Sequence, residues 1–312
     1  MALDQSYLEY PSRRYGMDHD RYDWSMLQQR TPVRWPEGAR LALWVNLSLQ
    51  HFPLNQRKSP VPVPSGMTMP YPDLRHYTLR DYGNRVGVYR CLDACQRAGV
   101  TPSFAVNTRL FEQLPQVRDA ILSVPGEVLC HGWQMDCLHY GGMPVEQERE
   151  YVTDAVSRLR ELTGRDIQGW LSPGKLQSEN TPELLAEAGI RYQCDWVNDD
   201  MPYRFRTERG GLVSMPLSTE LEDRFILQNN LHSEASYVEQ IKDACDFLLA
   251  EAEASGSGRL LALSVHPWLM GQPHRIRYLE EILEYIMSRP GVWSTTASTI
   301  VEHWISQQQG DA

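Results

Sequence analysis

Seven short apolar runs, each broken at its C-terminal end by polar or titratable residues, constrain this chain more than any other feature. The clearest is Leu260-Leu261-Ala262-Leu263-Ser264-Val265, which stops at His266 and Pro267. A short, nearly continuous apolar run reads as a strand buried on both faces, the habit of parallel sheets. The same reading covers Arg40 to Leu47, Thr101 to Val106, Glu127 to Cys130, Ile167 to Leu171, Ile190 to Cys194 and Leu212 to Met215. Between them lie helical spacings. One runs through Val86, Tyr89, Leu92 and Cys95 and stops at Gly99; another runs from Tyr151 to Leu162 and closes at Gly164. Thr181 is the expected cap of a third, with Pro182 behind it, and further helices fall near Tyr237 to Ala252 and Tyr278 to Met287. Ser298 is the expected cap of the last. Strand–helix alternation without a linker or a repeat predicts a parallel α/β barrel, and an open doubly wound sheet fits the same pattern.

The organisation is therefore an arm over residues 1–38, without clear period, and one (β/α) barrel domain over residues 39–312. The arm is expected to lie on the body or on a neighbouring subunit. A proline-rich loop follows the first strand and carries Met67, Met69, Tyr71 and Tyr77, which reads as the wall of a pocket.

A net charge of -10 with no Lys/Arg-rich run argues against nucleic acid or an anionic membrane as partner. No run approaches the roughly 18 apolar residues of a spanning helix, and the first residues do not read as a secretory signal. The six cysteines form no Cys-x-x-Cys pair, so they are expected to be reduced, buried thiols in a cytoplasmic protein.

The strand ends offer Asn46, Ser48, Gln50 and His51, then His131, then Trp170, Ser172 and Lys175, then Asp195, then His266. In parallel barrels such ends converge on one mouth, where chemistry collects. Two histidines and a carboxylate suit proton transfer, because imidazole titrates near neutrality. Arg85 or Lys175 would hold a carboxylate or carbonyl, and Tyr71, Trp133, Trp170, Trp196 and Trp268 would supply flat walls. A zinc site is the alternative, assembled from His51, His131 and Asp136 or His139. No Gly-x-Ser-x-Gly elbow supports a serine nucleophile, and no glycine-rich phosphate loop occurs.

Several stretches carry a family resemblance: Asp81-Tyr82-Gly83-Asn84-Arg85-Val86-Gly87, Glu127 to Trp133, Gly169-Trp170-Leu171-Ser172-Pro173-Gly174, Tyr192 to Asp195 with Asn198 to Tyr203, and His266 to Pro273. In these the chain resembles the polysaccharide deacetylase (NodB-homology) superfamily, in the branch of the cofactor-independent allantoinases and cyclic imide hydrolases. The resemblance implies a distorted (β/α)7 barrel. Deacetylases of the superfamily bind a metal through an Asp-Asp pair after the first strand and a His-x-x-x-His pair. Here Ser48 or Gln50 stands in the first region and Met135 at the second histidine, while His131 remains. The resemblance thus implies a cofactor-free hydrolase of a small cyclic amide, a ureide or imide. For such a reaction His131, His266, Gln50 and Asp195 are the catalytic candidates among the strand-end residues, and Arg85, Tyr71, Trp133, Trp170, Lys175 and Asn46 the substrate-binding ones. Asp195 would orient a histidine or bond a ring N–H, and Gln50 and Asn46 would hold the carbonyl oxygen. The resemblance also implies a homo-oligomer. Two other readings remain: a sugar N-deacetylase with a divalent metal such as zinc, and a non-catalytic binding member of the superfamily.

Overall fold

The computed structural model describes residues 19–56 and 73–308. The seven expected strands form as β1 (Leu41–Leu49), β2 (Ser103–Val106), β3 (Glu127–Cys130), β4 (Gly169–Trp170), β5 (Tyr192–Gln193), β7 (Gly210–Ser214) and β8 (Arg259–Val265). They run parallel in the order β7-β5-β4-β3-β2-β1-β8. Two further strands were not anticipated. β6 (Tyr203–Thr207) pairs antiparallel with β7 at the sheet edge, and β9 (Val292–Ser294) pairs with the first residues of β1. β6 carries two arginines and buries only Phe205 fully, so it lacks the apolar run that betrays the others. Among the described residues no pairing joins β6 to β8, and the sheet is a half-barrel wrapped by helices.

The pleat decides which side chains reach the interior. Successive residues of a strand point to opposite faces. Leu41, Leu43, Val45, Leu47 and Leu49 join the large core under the helices, whereas Ala42 and Trp44 join a second, inner cluster. Asn46, Ser48 and Gln50 continue the inner row. On β8 the inner row is Leu260 and Ala262, continued by Ser264 and His266; on β3 it is Leu129, continued by His131. Register then sets depth. Leu49 pairs with Val106 and Val106 with Cys130, so the next residues, Gln50, Asn107 and His131, share one level. Leu47 pairs with Val265, which puts His266 beside Ser48, one pleat lower.

A helical run longer than the sequence suggests follows the first loop. α1 (Leu74–Tyr82) passes through a π-helical turn at Gly83–Gly87 into α2 (Val88–Ala98), which Gly99 closes at φ 70°. α1 escapes pattern reading because its buried residues are His76 and Arg80 rather than aliphatic side chains. The turn packs on the chain just after β8 with almost no room between. A Cβ on Gly87 would sit 2.0 Å from the Pro267 carbonyl oxygen, and one on Gly271 would sit 2.3 Å from Gly87 Cα. Gly87→Ala is therefore expected to destabilise the fold by about 1–3 kcal/mol, the usual range for overpacking. Urea unfolding measures it, and an unchanged midpoint would refute the contact.

Two expected caps are corrected. The Thr181 hydroxyl donates to Glu148 Oε1 at 2.5 Å instead of capping, because it completes a buried cluster with His139 and Ser178. Ser298 lies inside the last helix, Ala297–Gln308, and its N–H donates to Glu127. All six cysteines are buried and free. Among the described residues no helix is long and apolar enough to cross a membrane. Residues 19–38 of the arm lie on the barrel, held by Arg21 to Glu183, Arg30 to Asp199 at 2.6 Å, and the buried Val33 and Trp35.

Candidate active site

At the C-terminal strand ends, an asparagine not singled out from the sequence ties three strands together. Asn107, fully buried, accepts from the His51 N–H at 2.8 Å and donates to the His131 carbonyl. This holds the ends of β1, β2 and β3 level. His131 Nδ1 lies 2.7 Å from the Leu171 carbonyl oxygen, so Nδ1 carries the proton and Nε2 presents a lone pair. Gln50 Nε2 faces that nitrogen at 3.4 Å, while Gln50 Oε1 accepts from the Trp268 indole at 3.3 Å. Burial pulls the His131 imidazole down to about 4, against the Leu171 hydrogen bond and helped by His266. His131 is consequently a neutral acceptor at neutral pH.

His266 is held differently. Its Nδ1 lies 2.6 Å from Asp223 Oδ1, and its backbone N–H donates to Asp223 Oδ2 at 2.7 Å. The buried carboxylate fixes ring and backbone together, with Nδ1 as donor and Nε2 left with its lone pair. That is the orienting arrangement of a histidine–carboxylate pair. Beside it, Glu222 takes Lys175 Nζ at 3.2 Å and Arg224 Nε at 3.0 Å. Burial opposes ionisation of Glu222, but His266, Lys175 and Arg224 bring its carboxyl down to about 2. Glu222 and Asp223 were missed in the sequence. They sit in a polar stretch after β7 with no apolar run to mark them.

The structure brings Gln50, His131, His266 and Lys175 into this neighbourhood and places Asp195, Trp170, Asn46 and Arg85 elsewhere. Asp195 bonds Ser172 N at 2.8 Å, Ser172 Oγ at 2.7 Å and Gln177 at 2.6 Å, and no histidine. It follows Gln193 on the side of the sheet away from the inner row, so Asp223 takes the orienting role expected of it. Trp170 is fully buried, belongs to the core under the helices, and donates to Ser172 Oγ at 2.8 Å. One residue of pleat turns it from the mouth. Asn46 is also fully buried, two residues below Ser48, and its amide is spent on the Ala105 N–H and Ser48 Oγ. Arg85 points outward with its side chain 76% exposed, 3.9 Å from Asp81. Lys175 is engaged by Glu222 and by the Leu217 carbonyl at 2.9 Å, so it is no free anchor. Trp133 is half-buried against the core, and Tyr71 lies outside the described residues.

No family model matches the chain. It is 26% identical over 259 residues to a Schizosaccharomyces pombe protein provisionally named a polysaccharide deacetylase, covering 76% of this chain and 79% of that one. A Helicobacter pylori peptidoglycan deacetylase is 21% identical, covering 72% and 86%. The solved structure of the PuuE allantoinase superposes with a TM-score of 0.78 at 27% identity, covering 89% and 94%. A Pseudomonas aeruginosa protein described as a probable polysaccharide deacetylase gives 0.76 at 26% identity, covering 89% and 95%. The chain has the fold of the polysaccharide deacetylase superfamily. The divalent metal expected of that superfamily's deacetylases does not fit the residues here. The one unprotonated nitrogen of His131 faces the Gln50 amide, and Met135 is buried with its N–H on the His51 carbonyl. His51 Nε2 faces Gln113, and His139 is taken up by Glu148 at 2.9 Å. Among the described residues no three His, Cys, Asp or Glu side chains gather where they could hold a metal ion.

Proposed function

We propose that this protein hydrolyses a C–N bond of a small cyclic amide, a ureide or imide, without a metal. The observation that carries the reading is the pair of differently held histidines: His266 backed by Asp223, and His131 kept neutral against Gln50. Hydrolysis of a ring amide needs a base for water, stabilisation of an oxyanion and an acid for the leaving nitrogen. In this reading His266 Nε2 takes a proton from water as the hydroxyl oxygen attacks the ring carbonyl carbon. The tetrahedral oxyanion is met by the Gln50 amide N–H. The C–N bond then breaks, and the imidazolium returns its proton to the departing nitrogen, leaving an open-chain N–H and a carboxylic acid that loses its proton to solvent. His131 Nε2, a lone-pair acceptor, takes one N–H of the Gln50 amide and so orients the other toward the oxyanion.

The likeness to the PuuE allantoinase supports a ureide ring. The deacetylase names of the two curated relatives support the other reading, a metal-dependent N-deacetylase. Turnover of a panel of allantoin, hydantoin, succinimide and N-acetylglucosamine oligomers, before and after chelation, separates the two. Ring opening that persists through chelation is the expected result. Deacetylation abolished by chelator and restored by zinc would overturn it. A cytoplasmic homo-oligomer remains part of the proposal, and sedimentation of the full chain reads its assembly.

A further inference from the structure

Two arginines are buried among the described residues, and they are treated differently. Arg259 pairs with Glu251 at 2.5 Å. The side chain of Arg80, a residue 3% exposed, makes no ion pair or hydrogen bond with any described residue, and its Nε is buried without a partner. Its guanidinium lies instead between two rings, 3.7 Å from the Trp268 centroid and 4.7 Å from that of Phe52. The Asp223 carboxylate attracts it from beyond bonding distance while Arg224 repels it, and a buried cation whose donors bond no acceptor is unfavourable unless something else supplies one. Stacking on rings offsets part of this, but leaves the in-plane N–H donors unused.

Those donors border a recess of about 50 Å³ next to the candidate site, whose wall includes Gln50, His51, Tyr77, Arg80 and Asn84. Two of its groups hold unpartnered buried nitrogens, Arg80 Nε and His51 Nδ1. The volume is that of a few waters. It is too small for a ring and suited to one planar substituent. Asp81 also borders it, 3.9 Å from Arg85. Trp268 links the recess to the chemistry, since its indole stacks on Arg80 and its N–H reaches Gln50.

Resting on the ring-hydrolase reading, we propose that Arg80 anchors a carboxylate or ureido carbonyl group carried by the ring substrate, seated in this recess away from the bond that breaks. A guanidinium offers a fork of donors to two oxygens, which a lysine ammonium cannot match. The substrate class narrows accordingly, from any cyclic amide to one with a planar oxygen-bearing side group.

The test is calorimetric binding of hydantoin and of hydantoin-5-acetate to the full chain, alongside turnover of both. The wild type is expected to bind the carboxylated ring about 10-fold to 100-fold tighter, the worth of a bidentate charged pair. Arg80→Gln should abolish that preference, and Arg80→Lys should keep only part of it. If Arg80→Gln does not fold, Arg80→Lys carries the test, because it retains the charge and the alkyl stem. Equal affinity in the wild type, binding of neither ring, or a preference that survives both substitutions would overturn the anchor. A preference dependent on Arg80 with no ring opened would keep the anchor and remove the ring-hydrolase reading. Ring opening with no preference would do the reverse.

Discussion

His266→Ala is expected to lower kcat by at least about 10², the usual scale for a lost acid–base group. Asp223→Asn should lower it by a similar factor, because the carboxylate acts through His266. The reason is geometric. Asp223 accepts from both the ring Nδ1 and the backbone N–H of His266. An asparagine has one acceptor oxygen. If that oxygen keeps the backbone N–H, its NH₂ faces Nδ1, and the imidazole must move its proton to Nε2. The base is then on the wrong nitrogen while the ring stays in place. The measurement is kcat for whichever ring the panel identifies, with thermal unfolding as control for the fold. Near-normal turnover in either variant would remove His266 from proton transfer.

A second large effect is on stability in acid. Burial holds His131 at about 4 in the folded chain, against an ordinary value of 6.5. Between those values the unfolded chain binds a proton that the folded chain refuses, so stability falls as pH drops from 6.5 toward 4. At pH 5 this histidine alone should lower unfolding free energy by about 2 kcal/mol relative to pH 7.5. His76, also near 4 through burial and Arg80, acts in the same direction. Glu222 adds a lower window. Its carboxyl is near 2 when folded, so its contribution is present above its ordinary value of 4.5 and is lost as pH falls through 2. Urea unfolding at pH 7.5, 6 and 5 reads the first window, and His131→Gln should reduce its slope, leaving the part that belongs to His76. A wild-type profile level across that range would contradict a neutral buried His131.

Seven of the strands, and the place of the two histidines after them, were legible because the signals are local. A run such as Leu260 to Val265 needs only burial on both faces, and the residue after it inherits a place at the mouth. The errors came from features that depend on the pleat or on tertiary pairing. Trp170 ends, and Asp195 follows, a strand of only two residues, where a shift of one position changes the face. Glu222 and Asp223 lie in a stretch without period, and only the folded chain sets them beside Lys175 and His266. Arg80 was hidden in a helix whose buried face is polar, while the exposed Arg85 looked the better anchor in its glycine-flanked motif.

At Gly83, Gly87 and Gly271 a helix and a strand end touch through main chain, with no side chain to re-pack between them. The helix that begins at Leu74 carries Arg80, and the strand end carries His266. The spacing between the backbones that carry Arg80 and His266 is thus set by close main-chain packing, and rotamer changes nearby leave it alone. Residues around the recess can therefore vary, and with them the side group a substrate must carry, while the proton-transfer geometry keeps its gauge.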